Sequence, residues 1–483
     1  MSCVAVVTAA STAFGDGGYF GGALGARAAG RSGAFAARAD DPTAVLYNPA
    51  GIANLGGTVA MIGNRLSYNG DTFTRAPTQD WGNVQNGAAP TVMFDQVRNG
   101  TPWQAVEPLL AVASNLGLRD WGFALAAFAE PGASRLGFPV SGGQRYMMVA
   151  REAIIGDVAG TVAWRRRDVF AVGATLRWIT VPRLDYSLII EGSPFAQDAH
   201  PVSSSLDMLA STRGSDPFTF GATLGAWLRP APFLEIGLSG DVVPATIETQ
   251  SRLQVTPINP VAGSVTLTRD ALPANDVHVR LPLPLGARLG VRYRNLRGAV
   301  ERFDVEADVE YQGWSRVDQF TLDTRGLIAS VQGADVDLGQ INIAKHWRDT
   351  FSVKLGGDFA VVPGRLAVRG GLFAETAVAP AAYANVDFPG GPMLGGSLGG
   401  SVSSGHWEVA LAYQLRHQTT VSVAEADARV YQQVPASACH APYTDPNSCN
   451  PHYLGQPSPV INAGTYSATS HYLALALIYR FGS

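Results

Sequence analysis

The chain has 483 residues, and 35 Lys and Arg against 39 Asp and Glu leave a formal charge of −4, so no positive excess exists to neutralise a nucleic-acid backbone. Only 15% of the residues are charged while Gly (54) and Pro (30) are abundant, which excludes both an ordinary cytosolic enzyme and a disordered chain. A mean hydropathy of +0.08 spreads the apolar residues evenly, and with no run of roughly 18 to 20 of them a helical membrane bundle is excluded as well.

In chain order, Met1 to Phe14 is apolar and ends its small-residue run at Ser11-Thr12-Ala13, which predicts a signal peptide over 1–13, although the first basic residue is Arg27. Residues 14–56 do not alternate. The small-residue stretch from Gly22 to Ala39 suits one or two short helices, and Asn48-Pro49 suits a tight turn in which Asn hydrogen-bonds its own backbone. From Gly57 onward the dominant signal is period two. Fourteen segments start near Gly57, Val106, Trp121, Arg151, Asp168, Pro217, Pro232, Val277, Arg302, Thr350, Arg365, Leu394, His406 and Ser470. Val277 to Tyr293 is the cleanest, with Val277, Val279, Leu281, Leu283, Leu285, Ala287, Leu289, Val291 and Tyr293 on one face. Short turns alternate with long polar loops, as they do on the two rims of an outer-membrane barrel. The expected fold is all-β, a fourteen-stranded antiparallel transmembrane β-barrel over 57–483. At a strand spacing of ~4.8 Å and a tilt of ~40° its backbone diameter is near ~28 Å, too wide for side chains to fill, so 14–56 is expected inside as a plug.

Individual residues add detail. The third strand meets Pro131-Gly132, where Pro removes a ladder donor and pairing should break. Phe138, Met147 and Met148 in one loop, and Leu188 to Ile190 after the fifth strand, are apolar where loops are usually polar. They suit either ligand capture or packing of loop on loop. Arg177 is expected inward on the fifth strand, with Arg183 where that strand meets its loop. A hairpin turn over Asn295 to Glu301 would bring Arg292 near Asp304 and Arg288 near Asp308, a ladder that reads more readily as cross-strand pairing than as a solute pathway. Lys354 is one of only two lysines, Lys345 being the other, and is expected inward on the tenth strand, either at a ligand head group or paired with Asp358.

Gly395-Gly396-Ser397-Leu398-Gly399 fits the G-x-S-x-G pattern but lies in a Gly-rich strand without the helix a nucleophile elbow needs. No enzymatic, cofactor or metal motif accompanies it. Cys439 and Cys449 in a polar loop read as a disulfide, in preference to a metal site with His440 and His452. The last strand ends in Phe481 after Leu473, Leu475, Leu477 and Tyr479, an ending typical of outer-membrane barrels.

Arg27-Ala28, Gly30, Gly33-Ala34-Phe35-Ala36, Ala39-Asp40-Asp41 and Tyr47-Asn48-Pro49-Ala50-Gly51 resemble the hatch segment of the outer-membrane long-chain fatty acid transporters of the FadL type. Leu281-Pro282-Leu283-Pro284, Tyr311-Gln312-Gly313-Trp314-Ser315 and Trp347-Arg348-Asp349-Thr350 extend the resemblance along the chain. It implies a monomeric barrel in the bacterial outer membrane, with lipid around it, that takes up hydrophobic molecules passively. Capture between loops, transfer to an internal pocket, hatch movement and sideways release at the third strand would follow in that order. Long-chain fatty acids are the expected cargo, with aromatic hydrocarbons, or a sealed interaction barrel, as alternatives. For such a cargo, alternation and charge make Arg183, Lys354 and Arg177 the candidates for a head group, and Phe138, Met147 and Leu188 the apolar candidates for ligand capture. Asn48, Pro49, Ala50, Asp40 and Asp41 fall to the hatch, and Pro131 and Gly132 to the lateral opening.

Overall fold

The computed structural model describes residues 22–79, 90–129, 135–190, 207–259, 264–298, 300–331, 334–432 and 460–482. The expected signal peptide, the Pro131-Gly132 break and the Cys439–Cys449 disulfide lie outside these residues. The wall strands are β1 (Thr58–Arg75), β2 (Trp103–Ser114), β3 (Trp121–Ala129, resuming at Arg135–Gly137), β4 (Ala150–Arg166), β5 (Phe170–Ile190) and β6 (Met208–Ala231). They continue as β7 (Leu234–Asp241 and Thr246–Pro257), β8 (Asp276–Pro282 and Gly286–Arg297), β9 (Val300–Gln312 and Gln319–Asp323) and β10 (Gln340–Ala344 and Thr350–Val362). The last four are β11 (Leu366–Glu375), β12 (Met393–Ser404), β13 (Trp407–Val423) and β14 (Gly464–Phe481). Each pairs antiparallel with its neighbours. β1 closes the ring, meeting β14 from Thr58↔Phe481 to Arg75↔Gly464 and β2 on its other edge.

Fourteen strands and the short turns agree with the periodicity, but several strands run further than it indicates. β6 begins at Met208, not near Pro217, and β14 at Gly464, not near Ser470. These ends rise above the bilayer, where both faces meet polar or buried surroundings and the lipid stripe no longer marks the strand. The β8–β9 hairpin is also tighter than expected. It turns at Gly298, whose φ is 63°, so Arg292 stands opposite Glu306 and Arg288 opposite Glu310.

A larger correction concerns Val277 to Tyr293. Leu289 is 46% exposed and faces lipid, whereas Val277 is 1% and Leu283 6% exposed, facing inward. The apolar stripe changes sides at the non-strand residues 283–285, where Leu281-Pro282-Leu283-Pro284 interrupts the ladder. Neighbouring strands break at the same level. Leu283 N donates to Ala245 O (3.0 Å), Gly313 N to Leu285 O (2.8 Å) and Trp347 N to Val317 O (3.1 Å). Tyr311 Oη donates to Asp349 Oδ2 (2.7 Å), and buried Trp314 and Trp347 meet edge to face at 5.3 Å. The three motifs quoted from β8, β9 and β10 thus form one knot, and above it the wall turns its apolar side inward. A small four-stranded sheet of Val265–Arg269, Leu272–Pro273, Ile328–Val331 and Ala334–Asp337 stands beyond it, outside the barrel order.

The N-terminal segment carries two single-turn helices, α1 (Ala26–Ala29) and α2 (Ala44–Tyr47), and a 3-10 turn at Pro49–Asn54. Small side chains allow it to sit flush against the wall, with Ala26, Ala28, Ala34, Ala36 and Ala50 fully buried. The wall supplies the matching space. A Cβ at Gly237 would lie 2.0 Å from Ala36 O, and one at Gly371 would lie 2.3 Å from the Arg31 carbonyl carbon.

Candidate functional site: hatch, cavities and wall gap

The charge ladder on β9 holds the hatch. Arg31, fully buried, donates to Asp304 Oδ1 (2.8 Å), Asp358 Oδ1 (2.8 Å), Glu306 Oε2 (2.9 Å) and Ala34 O (2.9 Å). Asp308 accepts from the backbone of Phe35 (2.9 Å) and Ala36 (3.0 Å), while Glu306 accepts from Ala37 N (2.7 Å). A buried guanidinium surrounded by carboxylates is stable only because every charge is paired across the interface, so hatch and wall are bound as one unit. The expected Arg292–Asp304 contact is present, but Arg288 pairs with Glu310 (2.9 Å) and leaves Asp308 to the hatch. Cross-strand pairing alone therefore understates the ladder. Ser397 belongs to the same interface, since its Oγ accepts from Ser32 N at 2.8 Å and lies 2.9 Å from Ser32 Oγ.

The predicted hatch residues all have defined places. Asn48 Oδ1 accepts from Ala50 N (3.2 Å), and its amide donates to Ala36 O and to Ala226 O of the wall (2.9 Å each). Pro49 opens the 3-10 turn. Asp40 meets Arg27 (2.9 Å) and Arg38 (3.1 Å); burial opposes its charge, but the two guanidinium groups prevail and hold it well below the usual carboxylate range. Asp41 accepts from Thr43 N (2.8 Å), and burial raises its carboxyl despite that bond and Arg27.

Above the hatch lies a lumen cavity of 140 Å³ bordered by Tyr47, Arg177, Arg288, Glu310, Lys354 and Arg416. Arg177 and Lys354 thus point inward as expected. Arg177 pairs with Asp157 (2.8 Å), and Lys354 with Glu310 (2.5 Å) in place of Asp358. Asp358 is taken by Arg31 and Arg369 (3.1 Å). Arg183 is not in the lumen. A bulge between Ile154 and Gly156 shifts the β4–β5 register, turning Arg183 to the outer face with Asp185 (2.6 Å) and Glu152 (3.3 Å), so it cannot share a ligand with Lys354.

A second cavity of 100 Å³ lies in the upper barrel, walled by Ile155, Leu184, Leu188, Leu253, Leu281 and Phe320. The reversed face of β8 supplies part of this apolar lining. Its polar end is Arg151, whose guanidinium lies 3.9 Å over Phe388 and donates to Asp387 O (2.9 Å). Lys345, fully buried, reaches both Asp387 carboxylate oxygens at 2.6 Å; burial lowers its ammonium even so. Tyr186 Oη is 3.2 Å from Asp387 Oδ2. Leu188 lines this cavity, while Phe138 and Met147 are buried with Phe73, Ile189 and Tyr466 in a separate loop cluster. Arg151 and Lys345 were not among the predicted residues. Continuing the β4 alternation from Asp157 and Thr161 would have put Arg151 inward, but Lys345 sits in a kink that periodicity does not reach.

A third cavity, of 720 Å³, lies at the wall between the two described stretches of β3, bordered by Trp103, Pro108, Phe128, Ala129, Gly156 and Asp157. Among the described residues, β2 pairs with β3 only from Leu109 to Ser114. Ile155 borders both this gap and the upper cavity, and Asp157 with its partner Arg177 joins the gap to the lumen cavity.

A family model described as outer membrane protein transport protein (OMPP1/FadL/TodX) matches residues 6–440. No curated protein sequence matches the chain. Among solved structures, it is similar to a Pseudomonas aeruginosa FadL homologue, with a TM-score of 0.73 at 16% identity over 96% of this chain and 100% of that one. It is also similar to the Pseudomonas putida toluene transporter TodX (TM-score 0.61, 14% identity, 95% and 99% covered). The Ralstonia pickettii toluene transporter TbuX gives a TM-score of 0.58 at 14% identity, with 95% and 98% covered. A closed outer-membrane barrel with an internal segment bound to its wall, apolar cavities and a match along most of its length, the chain belongs to the FadL/TodX family of outer membrane transporters of hydrophobic compounds.

Proposed function

We propose that the protein takes up long-chain fatty acids passively. The observation that carries this is the upper cavity, an apolar chamber whose lining includes Arg151 and Tyr186, both joined through Asp387 to the buried Lys345. An alkyl chain gains from leaving water, about 0.8 kcal/mol per buried methylene, and a carboxylate entering a low-dielectric site needs charged donors to offset several kcal/mol of desolvation. The cavity supplies both. From there the apolar residues Ile155, Ile179, Val181 and Leu283 lead toward the lumen cavity, and the gap at β3 offers a route sideways into the bilayer. Hatch movement would control the step between them.

Aromatic hydrocarbons are the second reading, favoured by the edge-to-face group of Phe320, Trp347 and Phe388 with ring centroids 5.7 to 6.0 Å apart beside the cavity. TodX and TbuX, similar in fold, are toluene transporters by name. Binding of oleate, methyl oleate and toluene to purified wild type and Arg151→Gln separates the readings. Loss of one charge-assisted bond is worth roughly 1.5–3 kcal/mol, so oleate should weaken about tenfold to a hundredfold while methyl oleate is unchanged. Equal losses for oleate and its ester would refute head-group recognition, and toluene bound tightly with oleate unbound would establish the hydrocarbon reading.

A further inference from the structure

The outer face of the barrel carries a cluster of arginines that the transport path does not use. Arg213 on β6 and Arg252 on β7 stand directly opposite each other, both pointing outward. Like charges at a cross-strand pair are destabilising unless something between them is negative. Arg213 leans on Asp185 (3.1 Å) with its side chain 73% accessible, while Arg252 makes no ion pair among the described residues. Arg183 also uses Asp185, and Arg135 faces Glu152 at 3.9 Å. Three guanidinium groups thus share Asp185 and Glu152, and the carboxylate opposite Arg252 on β8, Asp276, is held by Arg269.

Of these residues, Arg213, Arg252 and Asp185 lie along a groove. Between the outer face of β5 to β7 and the small four-stranded sheet runs a channel of 870 Å³ whose border includes Arg213, Arg252, Ser187, Ser211, Gln254 and Asn275. Hydroxyls and amides beside paired arginines are groups that bind phosphate and sugar oxygens. The level is defined by the wall below. Trp178 and Phe218 stack at 6.1 Å on the outer face, Trp178 Nε1 donating to Pro217 O (2.7 Å), in the manner of an interfacial aromatic girdle. Arg213 is five residues up β6 from Phe218, which at the strand rise and tilt of a barrel is roughly 10 Å higher, at the headgroups of the outer leaflet.

We propose that this groove binds the phosphate of a phosphorylated glycolipid in the outer leaflet, with Arg213 and Arg252 on the phosphate and Ser187, Ser211 and Gln254 on the adjoining sugar. The occupant is a membrane lipid, since the groove opens on the lipid-facing side directly above the girdle. Occupancy would neutralise the facing arginines and bind the upper wall to the small extracellular sheet.

The test uses the full chain in detergent, incubated with phosphatidylcholine vesicles containing bisphosphorylated lipid A, vesicles containing dephosphorylated lipid A, or inorganic phosphate alone. Retained lipid is counted by native mass spectrometry for wild type, Arg213→Gln with Arg252→Gln, and Arg213→Lys with Arg252→Lys. Wild type is expected to retain the phosphorylated lipid about tenfold more than the Gln pair, with the Lys pair intermediate and the dephosphorylated lipid not retained. Both arginines are exposed, so the variants should fold. Equal retention by wild type and the Gln pair, or equal retention of both lipids, would overturn the proposal. Inorganic phosphate displacing the lipid at equal concentration would overturn the lipid as occupant.

Discussion

At the scale of single residues, Arg31 joins the hatch to the barrel most directly, because one guanidinium serves carboxylates on two wall strands, β9 and β10. Arg31→Met should weaken hatch docking by roughly 3–5 kcal/mol, the cost of leaving buried charges without their partner. Ion conductance in planar bilayers is expected to rise; unchanged conductance with unchanged protease protection of the hatch would show that the other contacts suffice. The sequence makes the charges of this site visible but not their partners. Asp304, Glu306 and Asp308 follow from alternation on β9, yet nothing local says that Arg31, more than 270 positions away, fills the space between them. Ser397 shows the same limit, since a G-x-S-x-G pattern rejected as a nucleophile elbow turns out to seat Ser32.

At the scale of elements, strands facing lipid along their length are legible because water and lipid impose a period of two, and strands that leave the bilayer are not. Val277 to Tyr293 is a single stripe in sequence and two opposed faces in space, since a break after Pro282 turns the upper half inward to line a cavity. Small-residue composition marks 14–56 as a segment for close packing, and the geometry places its backbone against Gly237 and Gly371. Ser32 and Ser397, with Oγ atoms 2.9 Å apart, allow a staple. In Ser32→Cys with Ser397→Cys, fatty acid uptake is expected to fall on oxidation and to recover on reduction, each single variant serving as control for the native cysteines. Uptake indifferent to oxidation would mean that the hatch need not move at this contact.

At the scale of the whole molecule, the proposed route runs from the loops through the upper and lumen cavities to the wall cavity beside β3, three cavities that share or join bordering residues. The sequence expects a break at Pro131-Gly132, which lies outside the described residues, and it misses the β4–β5 bulge that turns Arg183 outward, because a bulge leaves no mark in an alternating pattern. Gly156 borders the gap, and a Cβ there would meet its nearest atom, Thr180 Cγ2, at 3.6 Å, an ordinary contact, so Gly156→Phe can obstruct the opening without breaking the ladder. The decisive measurement is uptake of radiolabelled oleate by cells lacking their own transporter, supplied with wild type, Gly156→Phe or empty vector at matched surface expression. Wild type should raise uptake well above vector and Gly156→Phe should return it toward vector. Uptake no greater than vector with wild type would contradict fatty acid transport, and full uptake by Gly156→Phe would contradict release through the wall.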